Sequence, residues 1–195
     1  MRKQRGFTLI ELLIVMAIMG LTVGVAMPAF LTLQRRGATR AASAELRAVF
    51  DSTRARAIAR GRHAGVKFTK SGAEWYYAIY EDGDGDGVRN DDITSGIDRC
   101  VAWPRRVLTD ARVAFIAPPP FKLKDPDGDP LGPASSPVQF NTSTLCSFSH
   151  LGESTSGTIY VSDRVGDVYA VRVYGATAKI RTLRYNPGSK KWESR

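Results

Sequence analysis

The sequence predicts an α+β fold, in which one long N-terminal helix packs on an antiparallel β-sheet head. Three observations support this prediction. Residues 7–60 follow a helical pattern without interruption. After Gly61 the apolar residues recur at alternate positions, which is typical of strands. Glycine-containing turns at 166–167 and 175–176 then separate three strand-like segments, which indicates a closing meander.

The first helical segment is apolar enough to cross a membrane. Residues 7–30 contain a single charge, Glu11, and would form a helix about 36 Å long at about 1.5 Å per residue. A hydrocarbon core is about 30 Å thick. Arg2, Lys3 and Arg5 precede this segment, so we expect the N-terminus to stay in the cytoplasm and the head to be exported.

A secretory signal peptide and a plain membrane anchor are the two simpler interpretations of this segment. A signal peptide has a shorter apolar stretch and a small-residue cleavage site, whereas this segment continues into a second helical pattern. A plain anchor does not account for Glu11, because a carboxylate inside a membrane span costs roughly 2.5–3.5 kcal/mol on insertion scales. Glu11 therefore indicates a function beyond anchoring.

The junction at residues 5–12 reads Arg-Gly-Phe-Thr-Leu-Ile-Glu-Leu and resembles the class III signal of type IV prepilins and type II secretion pseudopilins. The resemblance implies that a prepilin peptidase cuts between Gly6 and Phe7 and that Phe7 is then N-methylated. It also implies that Glu11 pairs with the N-terminal amine of a neighbouring subunit during assembly. Gly20 and Pro28 match positions where pilin helices loosen in filaments, although such residues are often merely tolerated in membrane helices.

The resemblance divides the chain into four parts and implies its location. These are a leader peptide at 1–6, a transmembrane and assembly helix at 7–30, an amphipathic continuation at 31–61 and a periplasmic head at 62–195. The implied location is the bacterial inner membrane, single-pass, with later entry into a pilus or pseudopilus. The implied partners are prepilin peptidase, other pilins or pseudopilins, the inner-membrane assembly platform and membrane lipid.

The second half of the helix is amphipathic and is expected to pack on the head. An apolar stripe recurs at helical spacing, and Gly61 is a plausible C-terminal stop. Arginines occupy much of the remaining surface, which fits a solvated face, a face that meets acidic neighbours, or a DNA-binding stripe. The stripe consists of Ala42, Leu46, Val49, Phe50, Thr53 and Ala57.

The head is predicted to consist mainly of antiparallel strands. Residues 66–69 and 75–80 read as a hairpin, 112–116 as a strand, and 158–162, 168–174 and 179–185 as the meander. Seven of the ten prolines lie within Pro118–Pro137, which predicts an irregular loop there. The helix end at 54–58, an Asp-Gly-rich insert after the second strand and the closing meander, chiefly residues 157–162 and 169–173, resemble the GspH/FimT group of minor pseudopilins and pilins. The resemblance implies a structural subunit of a type II secretion pseudopilus or a type IV pilus.

An aspartate-rich stretch in the head is the one candidate metal site. Alternate carboxylates followed by glycine resemble the first half of an EF-hand calcium loop. The match then fails, because Ile93 occupies the twelfth position where a bidentate glutamate is usual. A flexible acidic turn is the alternative, and no cofactor is expected to be required. The candidate calcium ligands are Asp82, Asp84, Asp86, Asn90 and Asp92.

Two cysteines, Cys100 and Cys146, are expected on the exported side, where disulfides persist. A bridge between them would close a loop around the proline-rich stretch and stabilise the fold by roughly 3–4 kcal/mol on the loop-entropy model. Two separate thiols are the alternative.

The remaining composition argues against catalysis and leaves one binding function open. Only two histidines are present, and no nucleophile, base and orienting group occur together in a known motif, so we expect no enzyme. Net charge +9 permits a DNA-binding minor pilin, with basic residues at alternate strand positions on one sheet face. A solvated face is the alternative for these residues, which are Arg172, Lys179, Arg181, Arg184, Lys190, Lys191 and Arg195.

Overall fold

The computed structural model describes residues 7–72, 74–107 and 115–194. Helix α1 runs from Leu9 to Arg60 and contains 52 residues, so it is about 78 Å long at about 1.5 Å per residue. It ends at Gly61, whose φ of 63° is left-handed and whose N–H donates to the carbonyls of Ala57 and Ile58. Glycine adopts this conformation without a steric penalty, and the predicted helix stop is therefore confirmed.

The head contains a four-stranded antiparallel sheet in the order β3-β2-β1-β8. The predicted hairpin forms its centre, and a short helix, α2, precedes the edge strand β3. Strands β3 and β8 and helix α2 were not predicted from the residue pattern. The bounds are β1 Ala64–Ser71, β2 Glu74–Glu81, α2 Asn90–Ser95, β3 Arg99–Arg106 and β8 Leu145–Phe148.

A second antiparallel sheet has the order β12-β11-β10-β9-β4, and β7 also pairs with β9. It contains the three predicted meander strands, with a 3₁₀ turn at Gly175–Thr177. The predicted strand at 112–116 is described only in part, because residues 112–114 lie outside the described residues. The bounds are β4 Phe115–Ile116, β7 Val138–Phe140, β9 Gly157–Ser162, β10 Val168–Tyr174, β11 Lys179–Asn186 and β12 Lys191–Ser194.

The proline-rich segment is mostly irregular, as predicted, and its only ladder within the described residues is a two-stranded ribbon. Strand β5, Leu123–Lys124, pairs with β6, Pro130–Leu131. This ribbon covers the face of the second sheet that is turned away from α1, together with Trp192, whose Nε1 donates to the Lys124 carbonyl at 2.9 Å. The second sheet is consequently buried on both faces.

The main core lies between α1 and the two sheets. All six residues of the predicted helix stripe are buried. Phe50 is fully buried and makes edge contacts with Phe68 and Phe140 at ring-centre distances of 5.9 and 5.8 Å. Full burial of one such side chain contributes about 1.5–3 kcal/mol. The long helix and the antiparallel head confirm the predicted α+β fold class.

Candidate membrane and assembly site

The first half of α1 presents an apolar surface that nothing in the described chain covers. Every side chain from Phe7 to Gly37 is exposed, and Leu9 retains 78% of its accessible surface. The helix is long and apolar enough to cross a membrane by length and composition, with a mean hydropathy of 2.4 over its most apolar window. An apolar surface of this extent is typical of a segment that is covered by lipid or by a partner.

Glu11 forms a capping box with Thr8 at the start of this helix. The Glu11 carboxylate accepts hydrogen bonds from the Thr8 N–H and hydroxyl, both at 2.9 Å, while Thr8 Oγ1 accepts from the Glu11 N–H at 3.3 Å. The isolated chain thus supplies two donors to the only charge of the apolar segment. The sequence analysis did not single out Thr8, although Thr-x-x-Glu is a known N-terminal helix signature.

The remaining residues predicted to act in processing and assembly are exposed or lie outside the described residues. Phe7 is 80% exposed, and Gly6 lies outside the described residues. A Cβ built on Gly20 would meet nothing within 4 Å, so this glycine is not needed for packing within the single chain. The helix continues through Pro28, whose carbonyl accepts a hydrogen bond from the Thr32 hydroxyl at 2.9 Å. Loosening of this region in a filament stays a prediction.

The acidic loop between β2 and α2 is folded around two buried carboxylates. Asp82 accepts hydrogen bonds from the N–H groups of Gly85 at 2.7 Å and Gly87 at 3.1 Å. Asp98 accepts from Gly83 at 3.2 Å and from the Arg89 N–H at 2.9 Å. The sequence analysis missed Asp98, because it lies after α2 and belongs to no motif. These bonds define the course of the loop.

The electrostatics of the loop separate the buried carboxylate from the exposed ones. Burial opposes ionisation of Asp82, but backbone donors outweigh it and hold the pKa of Asp82 below its ordinary value. Partial desolvation, together with the charge of Asp84, raises the pKa of Asp86 and Asp92. The carboxylates of Asp84, Asp86 and Asp92 therefore repel one another, and a bound cation would relieve that repulsion.

Only three of the five candidate calcium ligands come together. Carboxylate oxygens of Asp82, Asp84 and Asp86 lie within 4.8 Å of one another, and Asp92 is not part of this group. Asn90 is directed elsewhere, because its Oδ1 accepts from the Lys67 ammonium and its Nδ2 donates to Ser143 Oγ at 3.2 Å. Calcium binding stays a prediction. Calorimetric titration of the full chain in detergent checks it, and absence of heat at millimolar calcium would remove the site.

The predicted bridge between Cys100 and Cys146 is wrong. Cys100 lies on β3 opposite Tyr80, and Cys146 lies on β8 opposite Val66. Strands β1 and β2 separate them, so their backbones are about 14 Å apart at about 4.8 Å per strand. A disulfide requires Cα atoms about 4.4–6.8 Å apart. Both thiols are free, and burial raises the pKa of Cys146 well above its ordinary value.

The basic residues of the meander do not form one uninterrupted face. Arg172 lies opposite Arg181 and on the same face as Lys179, whereas Arg184 lies opposite Tyr169 and points to the other face. Two of the four charges are paired within the chain. Arg172 donates to both carboxylate oxygens of Asp127 at 2.7 and 2.6 Å.

Arg184 is the second paired cation of the meander, because its Nε donates to Asp167 at 3.0 Å. Its position on the opposite face corrects the expectation of a shared DNA-binding surface. Lys179 and Arg181 remain exposed, and Arg195 lies outside the described residues.

Comparison with known proteins identifies the N-terminal segment. Residues 1–27 match the family described as the prokaryotic N-terminal methylation motif, which is the prepilin signal of type IV pilin-type proteins. No curated protein and no solved structure matches the chain. The match covers the predicted cleavage junction, Glu11 and most of the exposed apolar helix.

Proposed function

We propose that this chain is a minor pilin or pseudopilin, a structural subunit of a type IV pilus or a type II secretion pseudopilus. One observation carries the proposal: the methylation motif at residues 1–27 opens an exposed apolar helix that continues, without a break, into the core of the head. An enzyme has no need of such a connection, whereas a subunit that leaves the membrane and enters a fibre does. The order of features in the head supports the minor role.

Maturation begins at the cytoplasmic membrane surface. Prepilin peptidase cleaves between Gly6 and Phe7, and the new N-terminus of Phe7 is methylated. The chain then waits in the inner membrane with its head in the periplasm, and it enters the fibre through contacts with other pilins and the assembly platform. Removal of the leader takes away Arg2, Lys3 and Arg5, and Glu11 remains the only side-chain charge in residues 7–30.

Glu11 acts as the residue that aligns an incoming subunit. Before assembly, Thr8 satisfies its carboxylate with two hydrogen bonds of 2.9 Å. An ionised group in hydrocarbon is tolerated mainly when it is paired, so exchange of these donors for the N-terminal amine of a neighbour keeps the charge satisfied throughout. Thr8 is therefore a positioning residue for Glu11.

Mass spectrometry of the full chain, expressed with and without prepilin peptidase, tests maturation. We expect the first six residues to be lost and the Phe7 amine to be methylated only when the enzyme is present. Gly6→Val blocks cleavage because it adds a branched side chain at the cut site, while Gly20→Val serves as a control away from that site. A chain that keeps residues 1–6 in its native host contradicts the proposal.

Incorporation into sheared fibres tests the role of Glu11. We expect Glu11→Ala to reduce incorporation at least about tenfold, which corresponds to about 1.4 kcal/mol, and Met19→Leu, which keeps the apolar volume, to leave it unchanged. Met19 is exposed on the same helix and carries no charge. Equal incorporation of both variants would refute the alignment role and leave the maturation result unaffected.

A further inference from the structure

A polar cleft of about 290 Å³ lies where α1 leaves its apolar stretch and meets the head. Thr32 and Arg36 lie about 3 and 9 Å beyond Phe30 along the helix, at about 1.5 Å per residue. The polar layer on each side of a bilayer is about 5–8 Å deep. If residues 7–30 span the membrane, as the proposed function requires, Thr32 lies within the headgroup layer and Arg36 lies at its outer edge, from where its long side chain reaches back to the headgroups.

The head side of the cleft is held rigid by the loop between β9 and β10. Asp163 Oδ1 accepts hydrogen bonds from the N–H groups of Val165 at 2.9 Å, Gly166 at 2.8 Å and Asp167 at 2.9 Å. Val165 also lines the cleft and is 65% exposed. An apolar side chain at this level is suited to contact the start of an acyl chain.

Asp167 is a buried carboxylate with one unsatisfied oxygen in this cleft. The residue is only 7% exposed. Its Oδ1 accepts from Arg184 Nε at 3.0 Å, whereas its Oδ2 has no hydrogen-bond partner among the described residues. Buried carboxylate oxygens nearly always have a partner. The last torsion of aspartate is soft, so reorientation of the carboxylate toward a donor bound in the cleft costs little.

Arg36 is the complementary group on the helix side. It is exposed, and no carboxylate of the described part of the chain forms an ion pair with it. The cleft contains two arginines, Arg36 and Arg184, against three acids, Asp163, Asp167 and Glu193. This balance disfavours a purely anionic ligand and favours one that carries both a phosphate and an ammonium group.

We propose that the cleft binds the headgroup of phosphatidylethanolamine from the periplasmic leaflet, with its phosphate on Arg36 and its primary ammonium on Asp167. The proposal rests on the membrane location in the proposed function. A primary ammonium has three N–H donors for Asp167 Oδ2, whereas the trimethylated ammonium of phosphatidylcholine has none. Selectivity for the primary amine is therefore the signature of this site.

Lipid retention by the full chain in nanodiscs tests the proposal. The discs contain phosphatidylcholine with equal amounts of phosphatidylethanolamine or phosphatidylglycerol, and native mass spectrometry counts the lipids kept by the released protein. We expect several-fold enrichment of phosphatidylethanolamine. Asp167→Asn should bring its ratio to phosphatidylcholine close to one, and Arg36→Gln should weaken retention of both lipids. Arg40→Gln, an exposed arginine outside the cleft, should change neither.

Three results would overturn the proposal: no enrichment, a preference for phosphatidylglycerol, or a preference that survives both cleft substitutions. Competition by millimolar free phosphoethanolamine would also overturn it, since the ligand would then be a soluble compound. Arg36 is exposed on the helix, so its variant remains informative even if Asp167→Asn unfolds the head. Cleavage at Gly6 is measured separately, so failure of the proposed maturation is distinguishable from failure of lipid binding.

Discussion

The two halves of α1 belong to one continuous helix but have opposite surroundings. Every side chain of residues 7–37 is exposed, whereas eight side chains between Thr39 and Ala57 are buried against the sheets. The residue pattern predicts helix in both halves. Burial against the head stabilises only the second half, so the first half depends on lipid or on neighbouring subunits for its cover.

Substitution of Phe50 should give the largest stability difference between the two halves. Phe50→Ala removes a fully buried ring from the centre of the core and should lower the free energy of unfolding by about 3–5 kcal/mol. Urea unfolding of the full chain in detergent measures this through tryptophan fluorescence, because all three tryptophans lie in the head.

Met19→Ala is the matched control on the exposed half of the helix. Met19 retains 63% of its accessible surface, so its truncation should leave unfolding of the head unchanged. If Phe50→Ala and Met19→Ala lowered the free energy of unfolding by similar amounts, the two halves of the helix would not be energetically separate.

Glycine substitutions should separate the same two regions by a smaller amount. A Cβ at Gly157 would lie 2.2 Å from the Gln139 carbonyl oxygen and 2.3 Å from Phe140 Cδ1. Gly157→Ala should therefore cost about 1–3 kcal/mol through overpacking. Gly20→Ala meets no atom within 4 Å and should leave the urea midpoint of the head unchanged. Equal midpoints for both variants would show that β7 and β9 separate easily.

Asp82→Asn should give the smallest effect, about 1 kcal/mol at neutral pH. Both Asp82 oxygens accept backbone N–H bonds, and asparagine replaces one of them with an NH₂ group, which cannot accept. The pKa of Asp82 in the folded chain lies below its ordinary value of 3.8. Ionised Asp82 therefore stabilises the head above that value, and the contribution is lost as the pH falls through the lower folded pKa.

The pH dependence of the gap between wild type and Asp82→Asn checks this assignment. In EDTA, the free energy of unfolding should be higher for wild type than for Asp82→Asn at pH 7, and this difference should disappear as the pH falls below 3.8. Glu11→Gln, at the membrane end of α1, should track wild type at every pH. A gap that persists at low pH would assign the effect to packing instead of charge.

Much of the fold followed from local patterns, and the failures concern contacts between distant segments. The stripe through Leu46 and Phe50, the stop at Gly61 and the β1–β2 hairpin depend on residues close in sequence. Edge strand β3 was not predicted because Pro104 and the arginines of this strand interrupt the alternating pattern of apolar residues.

The candidate sites show the same division between local and distant information. The methylation motif and Glu11 could be predicted from the sequence because they lie in one continuous segment, residues 1–27. The separation of Cys100 from Cys146 depends on strand order, since β8 returns to pair with β1 far along the chain. The pairing of Arg172 with Asp127 likewise joins residues 45 positions apart, which composition does not reveal.

The unbroken course of α1 has a mechanical consequence. One helix extends from Leu9 through Pro28 to the left-handed cap at Gly61. The described chain therefore has no loop between its apolar N-terminal segment and its head. A pulling force on the head is transmitted along the helix backbone toward Glu11, with one hydrogen bond missing at Pro28, which has no N–H to donate. While α1 stays helical through Gly20 and Pro28, tensile load on a fibre built from such subunits would fall on the packing between neighbouring helices. The predicted loosening of that region in a filament would shift part of the load into each molecule.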